Sequence, residues 1–372
     1  MIELREVTTR CQLKEFVKFP DELYKDSPYY VPILHSDEYD ALIPKRNKAF
    51  DFCEAIYFLA YKDGKIAGRI AGIINRKANE TWNTRHVRFG WIDFIEDIEV
   101  AQALLDKVSE WGRSKGMTSI IGPYGFTDMD KEGMLTEGFD KMSNSSLIYN
   151  YPYYPEFLKR LGFEPEAQWI QESFEIPEKL PDNLVRTEPL IMKKYGLKFG
   201  QPKTYFSKVR YGKEMFRLIN EAYAGLHQYS ELTPGQIEKY VYKYAFVIDH
   251  RMCCFVFNKE NKMVGFTITV PMTADAFRKA KGKLFPFGIF HLLKALRKRD
   301  VVELYLIGVL PEYQSKGATL MIFSEIHRNY RACNVKMGIT FPRLVDNNNV
   351  NGIFDVFQMK PYVRRSCFIK AL

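Results

Sequence analysis

The chain has 372 residues, too many for one typical hydrophobic core, so two domains are expected. Its 46% hydrophobic and 27% charged content is globular rather than disordered, and no apolar run approaches the roughly 20 residues that span a bilayer. The net charge of +9 suits an anionic ligand or surface, but the excess is dispersed and no nucleic-acid-binding signature accompanies it.

The first forty residues predict a strand, a helix and an aromatic loop. Residues 52–61 and 66–75 are strand-like runs on either side of a hairpin turn, Lys62-Asp63-Gly64-Lys65. Another strand falls at 89–94. Residues 100–115 predict an amphipathic helix with Leu104, Leu105, Val108 and Trp111 on one face, stopped by Gly116. A short strand at 119–122 and a helix opening at Tyr154 follow. After a Pro-bearing link the order repeats. Helices fall at 215–223 and 234–248, a hairpin joins 253–257 to 263–270, and 301–309 is a buried strand. A helix at 318–330, a strand at 335–340, a short helix from about Val350 and a strand at 363–371 complete it. The repeat is one of pattern, not of sequence.

Cys11, Cys53, Cys253, Cys254, Cys333 and Cys367 show no Cys-x-x-Cys spacing and read as reduced thiols of a cytoplasmic protein. Met1 to Arg5 carry no signal-peptide core. The histidines are scattered without paired helical spacing, so no metal is expected.

The most informative stretch runs from Val309 to Leu320, where a β-rich strand turns through a Gly-bearing loop into a helix. Unpartnered backbone amides and the helix dipole there favour an anion. The fragment Gln314-x-x-Gly317-x-Thr319 resembles the pyrophosphate loop of the GCN5-related N-acetyltransferases, Gln/Arg-x-x-Gly-x-Gly/Ala, with Thr319 departing from the pattern. Tyr24-Lys25-Asp26, Gly68-Arg69-Ile70-Ala71, Gly90-Trp91-Ile92-Asp93-Phe94, Gly122-Pro123 and Pro152-Tyr153-Tyr154-Pro155 extend the likeness to tandem bacterial acetyltransferase-like proteins over nearly the whole chain.

The resemblance implies an α/β (α+β) chain of two tandem acyl-CoA N-acyltransferase domains, each a mixed, mostly antiparallel sheet flanked by helices. Their expected spans are 1–178 and 197–372, with 179–196 as a linker. In the first copy the loop position reads Ile95-Glu96-Asp97-Ile98-Glu99-Val100, without glycine. Its acids suit a helix start and repel a diphosphate, so this copy is expected to be a degenerate scaffold. The second copy is expected to hold acetyl-CoA or another acyl-CoA. Backbone groups of Ser315, Gly317, Ala318 and Thr319 would face the diphosphate, and Ile307 and Val309 would run beside the pantetheine arm. Gln314 contacts a phosphate or fixes the turn, and Lys316 is a diphosphate partner or a solvated loop lysine. Asn348 fits the family's coenzyme A-contacting asparagine, or caps a helix.

Glu303 lies on the apolar run from Val301 to Ile307, and a buried charge there needs a reason. Strict alternation sets it on one face with Tyr305, Ile307 and Val309. Its spacing to Val309 matches a general-base glutamate of the resembled family; the other reading is an edge-exposed glutamate or a salt bridge to Lys298 or Arg299. By the resemblance Asp355 stands where a general-acid tyrosine is usual, leaving Tyr362, Tyr313 or no acid at all, since a thiolate is a tolerable leaving group. His227, Tyr229 and Glu231 lie in the loop that shapes the acceptor site in such folds, or are simply a polar loop.

Residues 284–299 hold an apolar helical face (Ile289, Leu292, Leu293, Leu296) followed by Lys294, Arg297, Lys298 and Arg299. This is a packed helix with dipole-complementing cations, or a basic amphipathic element for an anionic membrane or a lipid-like amine. The expected function is acyl transfer from acyl-coenzyme A to a small-molecule or lipid-like amine. The alternative is a non-catalytic acyl-coenzyme A-binding sensor or scaffold.

Overall fold

Both central residues of the first hairpin turn, Asp63 and Gly64, have positive φ (52° and 78°), the twist that lets strands Cys53–Lys62 and Lys65–Asn75 pair without splaying. The computed structural model describes residues 1–246, 248–345 and 357–372. The chain divides into two units. The first holds Met1–Trp169, Thr273–Lys294 and Val363–Leu372; the second holds Ile170–Met272 and Ala295–Tyr362.

In the first unit the strand order is Ile2–Glu6, Cys53–Lys62, Lys65–Asn75, His86–Phe94, Ser119–Gly122, and then the C-terminal residues of Lys360–Ala371. His86–Phe94 and Ser119–Gly122 run parallel, and the helix Ile98–Ser114 crosses between them. Asp97 caps that helix by accepting the Glu99 amide at 3.0 Å. Val100, Leu104, Leu105 and Val108 bury one face against Ile70, Phe89 and Phe94, each such side chain stabilising by roughly 1.5–3 kcal/mol.

The second unit repeats the plan. Residues from Ile170 of strand Glu164–Glu175 lead into Met337–Thr340, Val301–Val309, Met263–Pro271, Cys253–Phe257 and Lys198–Gly200. Val301–Val309 and Met337–Thr340 are again the parallel pair, joined by helix Ala318–Ala332. Phe323, Ile326 and Tyr330 of that helix pack on Val302, Leu304 and Phe174. The expected mixed, mostly antiparallel sheets flanked by helices are therefore present in both units.

The units are not contiguous in sequence. The last strand pairs with Ser119–Gly122 (Phe368↔Gly122), so the C-terminus completes the first unit rather than the second. Residues 170–178 belong to the second unit, and 273–294 to the first. The stretch expected as a linker contains helix Asp182–Tyr195, tied to Ala318–Ala332 by the Glu188–Arg328 ion pair at 2.8 Å. All six cysteines are free thiols. Among the described residues, no helix is long and apolar enough to cross a membrane, and no group of three His, Cys, Asp or Glu could hold a metal ion.

Candidate active site

In the second unit the parallel register ends at Leu304↔Thr340, and the Phe341 amide donates to Leu304 O at 2.9 Å. The ring of Phe341 stacks on Tyr305 at 4.2 Å, marking the fork. On the opposite edge the ladder shifts: Leu304 faces Thr269 but Leu306 faces Ile268, so Tyr305 is a bulged residue. This corrects the strict alternation expected for the strand. Ladder partners share a face, so Glu303, opposite Val270, shares its face with Leu306 and Gly308. Ile307 and Val309 lie on the other face with Val302 and Leu304.

Glu303 is 6% exposed. The two cations proposed to neutralise it are engaged elsewhere, Arg299 with Asp249 at 2.7 Å and Lys298 with Asp300 at 3.0 Å. A Cβ on Gly308, on the same face, would meet Leu218 of helix Tyr205–Ala222 at 3.2 Å. Glu303 therefore belongs to the side of the sheet covered by that helix.

The loop after the strand is tightly built. The Leu310 amide donates to Val264 O, Tyr313 N to Leu310 O and Lys316 N to Tyr313 O, at 2.8–3.1 Å. Gln314 Nε2 donates to Val309 O at 3.3 Å, which supports its turn-fixing role. The Lys316 ammonium lies over the Tyr313 ring at 4.4 Å, and Asn258 donates to the Tyr313 hydroxyl at 3.1 Å. Gly317 caps the helix with φ 80°, and a Cβ there would come within 2.3 Å of Ile191. Both facts demand glycine. The first intrahelical bond is Met321 N to Gly317 O, at 3.1 Å. The amides of Ala318, Thr319 and Leu320 thus open the helix, where N–H groups have no partner one turn back. Ser315 is exposed and Thr319 half-buried beside them.

The acceptor-loop residues divide. Tyr229 is buried, and its hydroxyl donates to Asn220 Oδ1 at 2.7 Å, so it anchors the loop. His227 is half-buried. Tyr223, which sequence reasoning passed over, donates to Ile307 O at 2.7 Å, and burial pushes its hydroxyl up to about 12. Tyr362 is half-buried near the start of strand Lys360–Ala371. Asn348, Asp355 and the short helix expected from Val350 lie outside the described residues.

At the matching place in the first unit, tyrosines occupy the strand end. The Phe94 amide donates to the Tyr154 hydroxyl at 2.7 Å, and the Tyr153 hydroxyl donates to Phe94 O at 2.8 Å. Asp97 pairs with Lys62, whose hydrogen bond holds that carboxyl below its usual range. A second polar centre in this unit escaped the sequence reading. Arg69 and Asp93 are ladder partners and bond at 2.7 Å, Tyr24 donates to Asp93 at 2.8 Å, and Trp91 Nε1 donates to Glu38 at 2.8 Å. The signal was available: Arg69 and Asp93 each interrupt an apolar strand.

No family model matches the chain. It is 26% identical to the bacterial ceramide synthase of Caulobacter vibrioides (strain NA1000 / CB15N) over 326 residues, 85% of this chain and 82% of the relative. It is equally 26% identical to Protein YghO of Escherichia coli (strain K12) over 324 residues, 84% of this chain and 79% of that protein. Among solved structures, a tandem GNAT protein from the clavulanic acid biosynthesis pathway superposes with a TM-score of 0.55 at 12% identity, covering 100% of this chain and 98% of its own. A GCN5-related N-acetyltransferase from Sphaerobacter thermophilus gives 0.52 at 9% identity, covering 100% and 95%. The fold is that of the GCN5-related N-acetyltransferases, in tandem, and is an acyltransferase fold.

Proposed function

We propose that the chain is an N-acyltransferase that uses acetyl- or another acyl-coenzyme A, bound by the second unit. The observation that carries this is the bulged, forked strand Val301–Val309 leading through left-handed Gly317 into the open end of helix Ala318–Ala332. The amides of Ala318 and Thr319 hold the diphosphate, with Ser315 beside them, and the strand edge at Ile307 and Val309 runs along the pantetheine arm. The amine nitrogen attacks the thioester carbonyl carbon, the C–S bond breaks, and the thiol leaves. Glu303 takes the ammonium proton, directly or through water, and Tyr362 protonates the thiolate. Positioning supplies most of the acceleration, about 7–11 kcal/mol in favourable cases.

The acceptor we propose is an amine on a single long alkyl chain. Ceramide is an N-acylated long-chain amino alcohol, and a ceramide synthase is among the relatives at 26% identity. The exposed aromatic strap of the first unit, described below, supports peripheral contact with a membrane that would present such an amine. The test is turnover: the purified chain, given acyl-coenzymes A of graded length and a set of alkylamines, should release free thiol and one amide per thiol. The second reading, a non-catalytic acyl-coenzyme A sensor, rests on Thr319 standing where Gly or Ala is usual. Binding without turnover over that set would favour it.

A further inference from the structure

A small cleft of about 60 Å³, open to solvent, lies in the first unit between helices Arg10–Leu23 and His35–Leu42 and strands Lys65–Asn75 and His86–Phe94. Val17, Tyr30, Ile33, Leu147 and Ile148 give it apolar walls. Four charged side chains, Glu38, Arg69, Asp93 and Lys131, line it as well. Buried charges need partners, so their bonding shows which group is still available.

Asp93 is satisfied on both oxygens, by the Tyr24 hydroxyl and by Arg69 Nε. Arg69 also donates to Phe16 O at 2.8 Å. Burial opposes its charge, but Asp93 and Glu38 more than offset this and keep it cationic. Glu38 differs. It is 3% exposed, its Oε2 accepts Trp91 Nε1 at 2.8 Å and stands 3.6 Å from Arg69, and its Oε1 has no hydrogen-bond partner among the described residues. Lys131 makes no hydrogen bond among those residues, and burial pushes its ammonium below its ordinary value. Arg69 thus lies against both carboxylates and Lys131 feels the charge of Glu38, but Glu38 Oε1 keeps no hydrogen bond among the described residues.

We infer that this cleft binds the ammonium head of a single-chain amine on Glu38 Oε1, with the alkyl chain along the apolar wall. Lys131 lines the same cleft and would meet a hydroxyl on that head. An apolar approach adjoins it: the first residue of the Glu38 helix, His35, donates its amide to Gly282 O at 2.9 Å. Gly282 precedes Phe285, Phe287 and Phe290, which are 71%, 73% and 67% exposed. The inference depends on the N-acyltransferase reading only for why an amine is wanted.

The test is calorimetry on the full chain with octylamine, which stays monomeric in solution, against octanol. Octylamine should bind, and octanol should bind about tenfold more weakly or not at all, as expected on losing a charge-assisted hydrogen bond. Glu38→Gln should weaken octylamine about tenfold, and Ile33→Trp, which fills the rim, should abolish it. The thermal unfolding midpoint and circular dichroism spectrum, measured separately, should persist in both variants and certify their fold. Equal affinity for octylamine and octanol, or octylamine binding indifferent to both substitutions, overturns the inference, as does absence of octylamine binding to the wild type. Octylamine bound here with no amide formed from any acyl-coenzyme A leaves the site standing and removes the transferase reading instead.

Discussion

The hydroxyl of Tyr154 accepts the backbone amide of Phe94 at 2.7 Å. Phe94 ends its strand as Val309 ends the corresponding strand of the second unit. The strand-end amide is thus capped by a side chain in one unit, while in the second Tyr223 and Gln314 donate to the Ile307 and Val309 carbonyls. There the loop carries Gly317 and an open helix end. Asp97, paired with Lys62, adds a negative charge at the capped position.

Coenzyme A should therefore bind one site only, through the second unit. Gly317→Glu should abolish binding measured by calorimetry, and Gly317→Ala should weaken it while costing about 1–3 kcal/mol of stability for the left-handed backbone. Binding that survives Gly317→Glu but falls on changing Glu96, Asp97 and Glu99 would reverse the assignment of units.

Much of this was legible in the sequence, and the limits have physical causes. The turn at Asp63-Gly64, the strand at 301–309 and the helix beginning at Ala318 follow from local chemistry, and the structure places all of them within about two residues of expectation. The face of Glu303 was not legible, because one bulged residue, Tyr305, reverses every side chain beyond it. Nor was the home of the last strand, because ladder partners are chosen by tertiary packing rather than by chain order. Arg69 and Asp93 each looked like an isolated charge until the hairpin register set them opposite one another.

That buried pair makes a stability prediction. Asp93→Ala leaves the Arg69 guanidinium, enclosed in the first unit, with Glu38 only at 3.6 Å. The cost should be about 3–5 kcal/mol in denaturant unfolding, the usual penalty for removing one partner of a buried ion pair. A cost under about 1 kcal/mol would mean that water reaches Arg69 freely.

Glu303→Gln should lower turnover by about 10²–10⁴ while leaving acyl-coenzyme A affinity nearly unchanged. The side chain is buried on the face toward helix Tyr205–Ala222, away from Ile307 and Val309, so the cosubstrate side should not sense the change. An unaltered rate and pH profile would reduce Glu303 to a structural role.

The loop before strand Met134–Glu137 carries a pH dependence. Burial pushes the Asp130 carboxyl up to about 6, and burial with Asp128 nearby pushes Glu132 up to about 8. A carboxyl with a raised folded-state pKa binds its proton more tightly when folded. Its stabilisation is full below the unfolded value near 4 and is lost as pH rises through the folded value. The first unit should therefore lose stability between about pH 4 and 8, by at most about 1.4 kcal/mol per pH unit for each group. Glu132→Gln should flatten the upper part of that slope, and a thermal midpoint that rises from pH 5 to 8 would contradict it.

The last prediction concerns the strap that contains helix Gly288–Arg297. Of its expected apolar face, Ile289, Leu292 and Leu296 are half-buried, which fits a packed element, while Leu293 is 48% exposed. Phe285, Phe287 and Phe290 are not packed, and Lys281, Lys283 and Lys294 are exposed in the same segment. Arg299, by contrast, is held by Asp249 and is not available to a lipid surface. Aromatic side chains beside exposed cations suit an anionic interface, each cation contributing about 1 kcal/mol near the surface. Flotation should therefore show binding to vesicles containing phosphatidylserine and little to phosphatidylcholine alone, weakening as salt rises. Replacing Phe285, Phe287 and Phe290 together by Ser should release the chain from vesicles, and Lys281, Lys283 and Lys294 to Gln should remove its salt sensitivity. Neither change should alter octylamine affinity, because all six side chains lie outside the cleft lining. No binding to anionic vesicles at low salt would leave a dissolved amine, rather than a membrane-held one, as the acceptor.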